Sequence, residues 1–151
     1  MNVPKTNNHH GKNLNHDNLV LLLSAKEARL YLYDGNEFEK LKLNKSDTIE
    51  AYARDLPSKV GNFSNAQAAK EILINKFFLH IDQALGDVLK THPIPLFILA
   101  TKKTAGHFNK ISKHAKKVTS YINGNFNEHS MFELKQVLAP HIRALDYVKE
   151  H

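Results

Sequence analysis

The stretch that most constrains this 151-residue chain is residues 93 to 106, Pro-Ile-Pro-Leu-Phe-Ile-Leu-Ala-Thr-Lys-Lys-Thr-Ala-Gly. Its apolar run is fenced by prolines on one side and by Thr, Lys and Gly on the other. That reads as a strand buried on both faces, as in a parallel sheet covered by helices. The Thr, Lys and Gly after it start a helix. Ligands and partners of open α/β sheets meet the carboxyl ends of such strands, so residues 101 to 106 are the first place to look for function.

One domain is expected, because a chain of this length buries roughly 68–70% of its unfolded surface on folding. Cysteine is absent, which excludes disulfides, thiolate metal ligands and a cysteine nucleophile. The N-terminal apolar run at residues 19 to 23 is too short to span a bilayer and lacks a small-residue cleavage site. A soluble, cytoplasmic monomer without membrane contact is therefore expected.

Residues 1 to 17 are mostly Asn, His and Lys and read as a disordered arm preceding the domain at 18 to 150. His9, His10 and His16 lie on a floppy tail without the carboxylate set or second shell of a natural site, so no metal site is assigned to them. Residues 19 to 24 form a buried strand, and residues 28 to 33 alternate as a half-exposed one. Asp34-Gly35-Asn36 turns the chain into a third strand holding Phe38, Leu41 and Leu43, where the step from 38 to 41 breaks alternation as a bulge would. Within residues 44 to 63, Ile49, Ala51 and Ala53 alternate like a weak strand, while residues 47 to 54 equally suit one or two helical turns. This segment reads as an exposed functional loop with low order from about residue 46 to 63.

From Ser64 the period becomes helical. Ser64 with Gln67 has capping-box spacing, and Ala69, Leu73, Phe77, Ile81, Ala84 and Val88 form one apolar stripe backed by Ile72 and Leu85. The helix is expected over about residues 65 to 90, with His80 as a satisfied edge histidine. After the central strand comes a short helix over about residues 104 to 114 with Phe108 and Ile111 inward, then a strand at 118 to 122. A second capping box, Ser130 with Glu133, opens a last helix whose Met131, Leu134, Leu138, Ile142 and Leu145 face the core. Pro140 denies the Gln136 carbonyl its backbone partner and is expected to kink or split that helix. The pattern is α/β: an antiparallel N-terminal meander followed by βαβ units, one mixed sheet with helices on its faces.

Twenty-one Lys and Arg stand against fifteen Asp and Glu, and no acid occurs between Asp87 and Glu128. Within that span lie Lys102, Lys103, Lys110, Lys113, Lys116 and Lys117. Lys110, Lys113 and Lys117 recur at helical spacing, and Asn109, Ser112 and His114 are placed to add phosphate hydrogen bonds. These six lysines are the candidate RNA-binding residues. Catalytic patterns are missing: there is no Gly-x-Ser-x-Gly elbow, no phosphate-cradling glycine loop and no His-Glu-x-x-His. The predicted strands also lack the converging carboxylates of a two-metal nuclease. No enzyme activity and no cofactor is expected.

Three further marks resemble one family. Asp55-Leu56-Pro57-Ser58-Lys59-Val60-Gly61 is similar to its Asp-Leu-Pro-Lys-Lys-His-Gly approach to a functional loop. Residues 96 to 108 are similar to its apolar strand, Ala-Gly turn and Phe-bearing helix, and residues 118 to 133 carry its Gly-Asn and Glu-Leu marks. With the element order, these resemble the middle domain of the archaeal and eukaryotic class-one peptide-chain release factor and Pelota, most closely the bacterial relatives, over about residues 19 to 145. The resemblance implies a ribonuclease-H-like sheet with the central strand beside residues 19 to 24, and right-handed crossovers. It also implies a functional loop, with Lys59, Gly61, Asn62 and Phe63 as candidates. Where release factors carry Gly-Gly-Gln for peptidyl-tRNA hydrolysis, this chain reads Gly61-Asn62-Phe63. That mechanism needs glycine backbone freedom and a backbone amide beside the ester. The expectation is a non-catalytic domain associated with the ribosome or structured RNA. The alternative is a protein-interaction module that uses an exposed edge at residues 38 to 43.

Overall fold

Neither Asn-Leu-Val-Leu-Leu-Leu nor Leu-Phe-Ile-Leu-Ala alternates, because both strands are covered on both sides. In the computed structural model, which describes residues 17 to 53 and 66 to 150, these strands are β1 (Asn18–Leu23) and β4 (Leu96–Ala100), and all their residues are buried. They pair in parallel at the centre of a five-stranded sheet. β2 (Ala28–Tyr33) and β3 (Phe38–Leu41) run antiparallel out to one edge, and β5 (Val118–Asn123) lies parallel to β4 at the other, in the order β3-β2-β1-β4-β5. The meander, the mixed sheet and the place of the central strand beside β1 are as expected.

Among the described residues four α-helices enclose the sheet: α1 (Glu50–Ala53), α2 (Ala66–Thr91), α3 (Lys102–Ile111) and α4 (Met131–Glu150). On one face, Leu19, Leu21, Leu30, Leu96 and Ile98 pack with Tyr52 of α1, Phe77, Phe78 and Ile81 of α2, and Phe108 of α3. On the other, Val20, Leu22, Tyr31, Phe97, Leu99 and Ile122 meet Leu134 and Leu138 of α4. The crossovers from β1 to β4 and from β4 to β5 both pass over the α2–α3 face and both step toward β5, so they share one hand.

Several sequence expectations are corrected. β3 ends at Leu41 and pairs with β2 in unbroken register from Tyr33↔Phe38 to Leu30↔Leu41, without a bulge. Phe38 and Leu41 sit on opposite pleat faces and pack into opposite cores, which is why their spacing is odd. The register shift in this sheet falls instead between Leu96 and Phe97. Ile72 and Met131, expected inward, are each 40% exposed. The buried flank of α2 is the one facing α3, where Phe78 meets Phe108 at 5.7 Å, and Ile72 lies on the other flank. Met131 stands in the first turn of α4, ahead of Leu134, the first residue of that helix buried against the sheet. Pro140 does not split α4, which is one helix from Met131 to Glu150. Pro140 and Gln136 are both exposed, so the carbonyl deprived of its partner faces water.

The described part of the expected loop is structured. Ala28 N–H donates to the Asp47 carbonyl at 2.9 Å and Ile49 N–H to the Lys26 carbonyl at 2.8 Å, bridging Thr48 to Glu27. Asn44 Nδ2 donates to Asp87 of α2 at 2.6 Å. Tyr52 is buried against Phe77 and His80, and its hydroxyl donates to the Ser46 carbonyl at 2.8 Å. Low order from residue 46 is therefore wrong as far as Ala53, because this segment straps β2 to α2. The loop candidates Lys59, Gly61, Asn62 and Phe63 lie outside the described residues. So do the arm apart from Asp17, with its three histidines, and the Ser64 half of the first capping box. The second capping box forms: Ser130 N–H donates to Glu133 Oε1 at 2.8 Å, and Glu133 N–H to Ser130 Oγ at 3.1 Å. The bond from the Ser130 backbone N–H, and after it the Ser130 hydroxyl beside the carboxyl, hold Glu133 below its ordinary range.

Candidate nucleic-acid interface

α3 begins two residues earlier than its sequence suggests because Thr101 caps it, its Oγ1 accepting from Thr104 N–H at 3.2 Å. Ala105 and Phe108 turn inward and fix the helix by burial. Lys102, Lys103 and Lys110 are left exposed on the outward side. Lys102 and Lys103 occupy the first turn, which holds no acid, against the helix macrodipole. The helix gains nothing in stability from either charge.

α3 stops at Ile111, well short of His114, and the chain passes through Ser112–His114 into a 3-10 turn, Ala115–Lys117. The cause is Asp82 of α2, only 3% exposed. Its Oδ1 accepts from Ser112 Oγ at 2.5 Å and lies 3.1 Å from His114 Nδ1, while its Oδ2 accepts from Lys113 N–H at 2.8 Å. His114 N–H in turn donates to Ser112 Oγ at 3.0 Å. A buried carboxylate is tolerable only when satisfied in this way, and here one carboxylate anchors three consecutive residues. The anchor fits tightly: a Cβ added at Gly86 would stand 2.5 Å from the His114 ring.

Ser, His and Asp meet here without the relay of a hydrolase. Ser112 gives its proton to Asp82, and the His114 ring lies against Gly86, so no base is aimed at the hydroxyl. The same carboxylate acts on Tyr121, whose hydroxyl donates to Asn109 Oδ1 at 3.1 Å. Burial, and after it the charge of Asp82, raises that phenol above its ordinary 10.0.

Two sequence expectations change. Only Lys110 of the supposed helical series lies on α3; Lys113 follows the helix, and Lys116 and Lys117 close the 3-10 turn. Ser112 and His114 are committed to Asp82, and Asn109 Oδ1 to Tyr121, so these groups are not waiting for a phosphate. Lys102, Lys103, Lys110, Lys113, Lys116 and Lys117 are all exposed, and among the described residues none makes an ion pair. Where the carboxyl ends of β1 and β4 open, a hollow of about 190 Å³ lies between Lys70, Glu71, Ile74, Phe78, Lys103 and His107. That is smaller than the roughly 300–1,000 Å³ usual for a small-molecule site.

Asp82 was the residue missed by sequence reasoning. Its signal was present: Phe78, Asp82, Leu85 and Leu89 follow one helical line, and a carboxylate inside an apolar line needs buried donors.

Among solved structures, the chain is similar to an archaeal translation termination factor, aRF1, at 13% identity and a TM-score of 0.49, over 91% of this chain and 41% of that one. It is also similar to another archaeal protein, at 12% identity and a TM-score of 0.47, over 97% of this chain and 43% of that one. The chain thus spans less than half the length of either. No curated protein sequence matches it. Residues 19–149 match the model for bacterial archaeo-eukaryotic release factor family 3, which takes in every strand and helix described above except the ends of β1 and α4, and the chain belongs to that family.

Proposed function

We propose that this domain associates with the ribosome, or with structured RNA, through the lysines of α3 and the turn after it, and does so without hydrolysing peptidyl-tRNA. The observation that carries the reading is six exposed, unneutralised lysines on one helix and one turn, the turn held in place by a buried carboxylate. A phosphate backbone is the partner such a surface attracts, with affinity that falls steeply with salt. Family membership supports the ribosome as the source of that RNA. The absence of Gly-Gly-Gln, with Gly61-Asn62-Phe63 in its place, supports a role without ester cleavage.

A protein partner adding a strand at β3 is the competing reading. That edge is four residues long and exposes Glu39 and Lys40 at its middle, the short and charged form that discourages strand addition. Charge reversal separates the two: Lys102, Lys103, Lys113 and Lys117 changed together to Glu should abolish co-sedimentation with salt-washed bacterial ribosomes at low salt. The unaltered protein should pellet with them and release no labelled peptide. Unchanged pelleting of the reversed variant contradicts the lysine surface, and peptide release contradicts the non-catalytic role.

A further inference from the structure

Gly106 sits in the interior of α3, is exposed, and would meet nothing within 4 Å if it carried a Cβ. Its backbone is not in the left-handed region that favours glycine. Neither conformation nor packing within the described residues therefore asks for glycine, and the helix would be more stable with alanine there. The other glycine in a helix among the described residues differs. Gly86 of α2 is required by the His114 ring, which a Cβ would meet at 2.5 Å.

On a helix surface the neighbours of position i are i−4, i−3, i+3 and i+4. For Gly106 these are Lys102, Lys103, Asn109 and Lys110. Three lysines and an amide thus frame a patch of bare helix backbone at the centre of the outward face. Long cations around a missing side chain form a shallow seat, in which a group approaching the backbone is reached by ammonium groups from three sides. A phosphodiester fits such a seat, because it is small and anionic and takes charge-assisted hydrogen bonds from several donors.

We infer that Gly106 is a docking position for one phosphodiester of the bound RNA, kept free of a side chain so that the RNA backbone closes onto α3 between Lys102, Lys103 and Lys110. This rests on the RNA-binding reading and adds the point of closest approach. The seat selects for the phosphate backbone and carries no base-sequence preference.

Gly106→Ala and Gly106→Leu are the tests, alongside the four-lysine reversal, with a fluorescein-labelled RNA hairpin and salt-washed ribosomes as probes. Gly106→Ala should raise Tm by a few degrees and weaken hairpin binding by about tenfold, the weight of one strong contact. Gly106→Leu should weaken it further. Binding unchanged in both glycine variants but lost on lysine reversal would overturn the seat and leave the lysine surface standing. Binding unchanged in all three would remove both. A lower Tm for Gly106→Ala would show that the fold itself needs the glycine and would also overturn the inference.

Discussion

Asp82 and Gly86 lie one turn apart on α2, and both serve His114: the carboxylate holds the ring by Nδ1, and the glycine makes room for it. By helix propensity alone, Gly86→Ala should stabilise the protein by about 1 kcal/mol. Here the added methyl drives the imidazole off Asp82, so the variant should be less stable in urea, and the Lys113 amide should lose protection from hydrogen exchange. Asp82→Asn keeps the volume but turns an N–H₂ toward donors that need an acceptor, and should cost about 1–3 kcal/mol in the same measurement. Greater stability for Gly86→Ala would mean that the ring is not held. These contacts were out of reach of a sequence reading because they join residues thirty-odd positions apart. Burial of Asp82 is fixed by where α3 ends, and α3 ends where Asp82 captures Ser112 and Lys113.

Among the elements, the two buried strands and the long helix were legible because runs such as residues 19 to 23 and 96 to 100, and the stripe from Leu73 to Val88, state their surroundings directly. α1 was not legible. Four residues carry too little periodicity to choose between strand and helix, and the choice is made by Tyr52, whose ring reaches Phe77 and His80 across the chain. His80, by contrast, behaves as expected, its Nδ1–H donating to the Lys76 carbonyl at 2.8 Å. The strap makes a quantitative demand. Tyr52→Ala should destabilise the domain by about 3–5 kcal/mol and Tyr52→Phe, which loses only the bond to Ser46, by about 0.5–1.5 kcal/mol. A loss below 1 kcal/mol for the alanine variant, in chemical denaturation, would return residues 46 to 53 to the status of a loose loop.

At the scale of the molecule, the sheet divides the work between its faces. α4 closes one face with Leu134 and Leu138, and α2 and α3 close the other, with the acid-free span placed along α3 and the turn that follows. The carboxyl end of β4 is where sequence reasoning looked for function, and Lys102 and Lys103 do lie just beyond it; α3 then carries the chain back, so that Lys116 and Lys117 stand at the start of β5, beside the amino end of β4. What the one-dimensional reading misjudged is their frame, one lysine-bearing helix and a separately anchored turn rather than a single continuous helix. No helix among the described residues is long and apolar enough to cross a membrane. Since the chain has no cysteine, a single introduced thiol can carry a hydroxyl-radical source to a known point on the surface. The direct measurement is ribosomal RNA cleavage from that source tethered at Asn109→Cys, on the rim of the lysine surface, against the same source at Gln136→Cys, exposed on α4 across the sheet. Strong, localised cleavage from position 109 and little from 136 is the predicted result; equal cleavage from both, or cleavage from 136 alone, would contradict an RNA interface on α3.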